Sequence, residues 1–175
     1  MRAIPAIPFL LGAFSTGDTM ALSRLIAATV LTLWAGLASA QADDWQRYVV
    51  AETGAAVDVP KDIFSEGAGK PEAGFGARFL TADRRANLTV QSTRNDANDT
   101  PEAFLAKKNP PPGAVYRRIT ATYFVVSSFR NGLIWYDRCN FAGRVVTCVL
   151  INYPAAEKKR WDAVVTRISN SLSKG

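Results

Sequence analysis

LIWYDRCNFAGRVVTCVLIN, residues 133–152, reads as two strands joined by a two-residue turn at Gly143-Arg144. Gly143 supplies the positive φ of a type II′ hairpin turn, the geometry that matches the twist of the flanking strands. Counting back from that turn sets Ala142 opposite Val145 and Cys139 opposite Cys148. The cysteine pair then falls at a non-hydrogen-bonded position, where antiparallel strands lie closest and a cross-strand disulfide fits. The alternative is a pair of reduced thiols packed as small apolar groups.

Outward from this hairpin the chain continues as a meander. Asn131-Gly132 is a type I′ turn signal, so strands are expected at about 116–129, 133–141 and 145–152. Leu133, Trp135 and Phe141 share one face of the middle strand, and Ile134 and Tyr136 the other. Apolar side chains on both faces require cover on both faces, so helices should pack on either side of the sheet. Pro154 is placed to open a final helix, where its missing N–H costs little. In that helix Trp161, Val164, Val165, Ile168 and Leu172 form one apolar stripe.

Upstream, Val57 to Pro60 reads as a short strand, and Asp43 to Val50 as a first helical turn or an edge segment. The glycine-rich stretch from Ser65 to Gly76 reads as a surface loop. Phe75, Ala77 and Phe79, then Leu88 and Val90, alternate with polar residues about a turn at Asp83-Arg84-Arg85, predicting a hairpin with one wet face. Thr100-Pro101-Glu102 marks a helix start with a hydroxyl cap, and that helix must stop before the prolines at 110–112. The expected class is α+β, an antiparallel sheet flanked by helices in a single domain at 41–175.

The N-terminal 40 residues read as processing sequence. Arg24, an apolar run from Leu25 to Leu37, and Ala38-Ser39-Ala40 are the three parts of a cleavable signal peptide at 20–40. Its apolar centre is shorter than the roughly 20 residues that span a bilayer. Residues 1–19, interrupted by Pro5 and Pro8, look like an over-extended start. A periplasmic or secreted, soluble product follows. Removing Arg2, Arg24 and Asp18 from 21 basic and 15 acidic residues leaves 19 and 14, a modest net +5. An oxidising compartment favours the cysteine bridge.

The chain contains no histidine, which excludes imidazole general bases, histidine-based triads and histidine-bearing zinc sites. No phosphate-binding glycine motif is present; neither a metal nor a cofactor is expected, and neither a nucleic-acid partner nor a membrane span. Ser127-Ser128 lack a visible base and read as strand residues. Asp137 is the one carboxylate on an otherwise apolar strand face, giving a candidate polar site of Asp137, Arg138 and Arg117. Its structural explanation is an ion pair of Asp137 with one of those arginines. Basic clusters at Arg84-Arg85, Lys107-Lys108, Arg117-Arg118 and Lys158-Lys159-Arg160 form a patch only if the fold gathers them on one face.

Tyr48, Gly54, Val57-Asp58-Val59-Pro60, Phe64, Gly74-Phe75-Gly76, Val115-Tyr116-Arg117-Arg118, Tyr123 to Ser127, Tyr136-Asp137-Arg138-Cys139, Tyr153-Pro154 and Ser171-Leu172 together resemble a group of secreted alphaproteobacterial proteins to which no activity is attached. That resemblance spans nearly all of 41–175 and implies a Mog1/PsbP-like α/β/α sandwich. The shared residues belong to cores and turns, and members of the wider fold are mostly non-enzymatic partner proteins, so the resemblance implies binding rather than catalysis. Three functional readings follow. One is a non-catalytic exported domain that binds a protein or envelope component. Another is a binder of polyanions or anionic surfaces through the basic clusters. The third is an enzyme built on carboxylates and arginines, which demands a cleft holding Asp137 or Asp58 with a displaced pKa.

Overall fold

The computed structural model describes residues 44–108 and 114–173; the signal segment, its cleavage after Ala40, residues 1–19 and the prolines at 110–112 lie outside the described residues. The elements run β1 (Trp45–Val49), β2 (Ala56–Pro60), β3 (Glu66–Gly67), β4 (Phe75–Leu80), β5 (Asn87–Arg94), α1 (Pro101–Lys107), β6 (Ala114–Ile119), β7 (Tyr123–Arg130), β8 (Leu133–Ala142), β9 (Val145–Pro154) and α2 (Lys158–Ser171). Strands β3 to β9 form one antiparallel sheet in the order β3-β4-β5-β9-β8-β7-β6, and β1 pairs with β2 in a separate hairpin.

The β8–β9 hairpin sits inside this sheet with the expected register, Ala142 opposite Val145 and Cys139 opposite Cys148. Gly143 takes φ 55° and Arg144 is not in the left-handed region, as a type II′ turn requires. The two cysteine Cα atoms are 4.0 Å apart and a disulfide joins them, in line with the narrow spacing of a non-hydrogen-bonded pair. At the other end of β8, Asn131 and Gly132 both have positive φ, 52° and 76°, which completes the type I′ turn to β7.

Each face of the sheet is covered differently. On one side α2 and the β1–β2 hairpin enclose the main core, where Val57, Val59, Phe64, Leu88, Val90, Val149, Ile151 and Ile168 are fully buried. Trp161 stacks on Tyr153 within this core. The far end of α2 is pinned by hydrogen bonds: Ser173 N–H donates to the Ala56 carbonyl, Asp58 N–H to Ser171 Oγ, and Asn140 Nδ2 to the Leu172 carbonyl. On the opposite side α1 lays Phe104 and Leu105 on Phe124, Phe141 and the buried disulfide. Thr100 caps α1, its Oγ1 accepting from Ala103 N–H, with Pro101 in the first turn.

Three expectations are corrected. The strand expected at 116–129 is two strands, β6 and β7, because Thr120 Oγ1 accepts from the N–H groups of Thr122 and Tyr123 and folds the chain back on itself. A hydroxyl makes this turn without glycine or proline. Pro154 ends β9 rather than opening the helix; a 3₁₀ turn at Ala155–Glu157 follows, tied by Ala155 N–H to the Gly132 carbonyl, and α2 begins at Lys158. The loop at 65–76 contains the two-residue strand β3, whereas the lead-in at 43–50 takes the edge-segment alternative as β1.

Candidate functional site

A helix rises about 1.5 Å per residue, so the seven residues of α1 reach only about 10 Å. The sheet it lies on has seven strands and spans roughly 29 Å at about 4.8 Å per strand. Among the described residues, the helix covers the disulfide end and the rest of that face is open. Strand alternation sends Trp135 and Asp137 of β8, Leu150 and Asn152 of β9, and Asn87, Thr89 and Gln91 of β5 to this same face. With Arg78, Glu72 and Lys108 they line a groove of about 600 Å³.

The backbone around β4 shapes one wall. Gly76 has φ 129°, and a Cβ there would stand 2.1 Å from the Val90 carbonyl oxygen. Glycine is what lets the chain entering β4 lie this close to β5. Gln91 Nε2 then donates to the Ala73 carbonyl at 2.7 Å, holding the loop that carries Glu72 against the sheet.

Asp137 lies on the groove floor. Among the described residues its carboxylate accepts no hydrogen bond and has no cation within ion-pair distance. Desolvation by burial raises its pKa above the usual carboxylate value, and the positive charge of Lys108 acts in the opposite, lesser sense. Next to it, Asn152 Nδ2 donates to Asn87 Oδ1 at 3.2 Å, while Asn152 Oδ1 is buried without a partner among the described residues. Trp135, two residues before Asp137 on the same strand face, keeps 39% of its surface exposed. A half-open indole on the same face as a partly desolvated carboxylate that is unpaired among the described residues is an arrangement that internal packing does not require.

The sequence placed Asp137 with Arg138 and Arg117, and the structure does not bring these three together. Arg138, one residue on, points to the opposite face, where it bonds Asn140, Ser169 and Asn170 and lies 5.0 Å from the centre of the Tyr123 ring. Arg117 sits beside Glu102 at 3.5 Å. Asp58 is engaged by Arg47 at 2.8 Å; of the two carboxylates named from the sequence, Asp137 is the one that lines a groove.

The basic clusters are dispersed too. Lys107, Lys108 and Arg117 lie on the α1 side, whereas Arg118 lies beside Tyr123 on the α2 side and Lys158, Lys159 and Arg160 start α2 itself. Several are matched by a local carboxylate: Lys107 by Asp99, Lys158 by Asp162, Arg160 and Arg85 by Glu157, and Arg84 by Glu66. Sequence reasoning missed Asn87, Gln91, Asn152 and Lys108 as neighbours of Asp137. The alternation of β5 and β9 marked the first three as one face, but nothing in the sequence paired β5 with β9.

These observations define an antiparallel sheet packed on both sides, with a polar groove on the half that its shorter helix leaves open. The solution structure of cyanobacterial PsbP (CyanoP) from Synechocystis sp. PCC 6803 is similar to this chain, with a TM-score of 0.57 at 10% sequence identity, over 78% of this chain and 96% of that one. The fold is therefore PsbP-like, as the sequence resemblance implied. No family model matches the chain and no curated sequence matches it. Among the described residues, no helix is long and apolar enough to cross a membrane.

Proposed function

We propose that this protein is an exported, non-catalytic binding domain whose ligand, an envelope component, seats in the groove over Trp135 and Asp137. One observation carries the reading: the open half of the sheet holds a partly desolvated carboxylate that has no hydrogen bond or ion pair among the described residues. A bound ligand would supply a partner. The disulfide supports an oxidising compartment. Against an enzymatic role stand the lack of histidine in the chain and of free thiols among the described residues, which leaves Asp137 without an evident nucleophile or second proton carrier. The polyanion reading is disfavoured because its clusters lie on opposite faces and are locally matched.

The test is to expose the ¹⁵N-labelled, oxidised protein to cell-envelope extract and follow its indole N–H signals. Trp135 should shift and the buried Trp161 should not. A Thr89→Trp variant, which fills the groove floor between Leu150 and Arg78, should lose the response. Retention of the response in Thr89→Trp would place the ligand elsewhere and defeat the proposal.

A further inference from the structure

The charge and shape of the groove narrow the chemistry of its ligand, given the reading above. Asp137 presents acceptors without donors. A partly desolvated charge gains from a counter-charge, and every described cation stands beyond ion-pair distance of this carboxylate. Trp135 lies on the same face at a spacing of two strand residues, about 7 Å. A cation between the two side chains would meet the carboxylate on one side and the indole face on the other, within the roughly 6 Å over which a ring attracts positive charge.

Other ligand classes fit less well. A sugar would stack on Trp135 and hydrogen-bond Asn87 or Gln91, but it would leave the carboxylate without a counter-charge. An anion would gain Lys108 and Arg78 at the cost of facing Asp137 and Glu72. Lys108 lines the groove and its charge reaches Asp137 without an ion pair, so its removal should favour an incoming cation.

We propose that the groove recognises an organic ammonium group, held over the face of Trp135 with Asp137 as its counter-ion. Choline is the probe, with 3,3-dimethylbutan-1-ol as its neutral isostere and N-acetylglucosamine as a neutral sugar, each titrated while the Trp135 and Trp161 indole signals are followed. Choline should move Trp135 and not Trp161, and bind the isostere's site at least about 3-fold more tightly. Asp137→Asn should weaken choline about 10-fold or more, whereas Lys108→Met, which removes that positive charge, should tighten it about 2- to 5-fold. These opposite responses are specific to a cation, and an unshifted Trp161 signal in each variant shows that the core is intact.

Equal binding of choline and its isostere, or indifference to Asp137→Asn, would overturn the inference. So would a Trp135 signal that choline does not move up to about 100 mM. If N-acetylglucosamine moves Trp135 while choline does not, the ammonium inference falls and the groove remains the binding site. Loss of both, together with a response to envelope extract that survives Thr89→Trp, removes the groove reading as well.

Discussion

Replacing Asp137 with asparagine should make the protein more stable at neutral pH, the reverse of what removing a structural residue does. The carboxylate is desolvated and has no hydrogen bond or ion pair among the described residues. Leaving a buried polar group unsatisfied costs about 1–3 kcal/mol. Asparagine removes the charge but keeps an amide to satisfy, and Asp137 still touches solvent, so a gain near the low end, about 1 kcal/mol, is expected. The pH dependence supplies a second, independent sign. Burial raises the folded-state pKa above the reference 3.8, so the folded protein holds this proton more tightly than the unfolded chain. Any stability from that proton is fully present below 3.8 and is lost as pH rises through the higher folded value. The advantage of Asp137→Asn should therefore be largest at pH 7 and shrink as pH falls toward 3.8. Guanidinium unfolding of both proteins across pH 3.5–7 reads this directly as a difference in midpoint. A variant less stable than the parent at pH 7, or a difference independent of pH, would show that Asp137 is satisfied internally and refute the reasoning behind the groove.

Two further perturbations test the scaffold. Cys139 and Cys148 close a ten-residue loop, and the chain-entropy relation gives about 2.7 kcal/mol for that length. Reduction should lower the unfolding midpoint accordingly, with no effect of dithiothreitol on a Cys139→Ala/Cys148→Ala variant; an unchanged midpoint on reduction would mean the turn alone closes the hairpin in the unfolded chain. Gly76→Ala should cost at least about 2 kcal/mol, because its Cβ meets the Val90 carbonyl at φ 129°. Gly67→Ala, with open space around it, is the control, and equal midpoints for the two would contradict the close approach of β4 to β5.

Much of the fold was legible wherever local chemistry decides it. The two glycine turns fixed the register of three consecutive strands, and that register brought the cysteines together. The spacing from Trp161 to Leu172 named the buried face of the last helix. The reading failed where the deciding group carries no sequence emphasis: Thr120, an ordinary strand residue by composition, bends the chain through its hydroxyl, and Pro154 finishes a strand because Leu133 pairs with it. Arg138 was misassigned to Asp137 because adjacency in sequence was allowed to outweigh alternation, which sends neighbouring strand residues to opposite faces.

By itself, then, the sequence determined the two glycine turns, the register that sets Cys139 opposite Cys148 and the absence of imidazole chemistry, all set by residue type and by spacings of a few positions. Only the tertiary structure decided that, among the described residues, the face bearing Asp137 is half uncovered. That follows from two facts no local pattern contains: the pairing of β5 with β9 across more than fifty residues, and the seating of the seven-residue α1 over the disulfide end of a seven-stranded sheet. A carboxylate on an apolar strand is ambiguous until its cover is known, and here, among the described residues, only the end of α1 at Leu105 and Lys108 borders it.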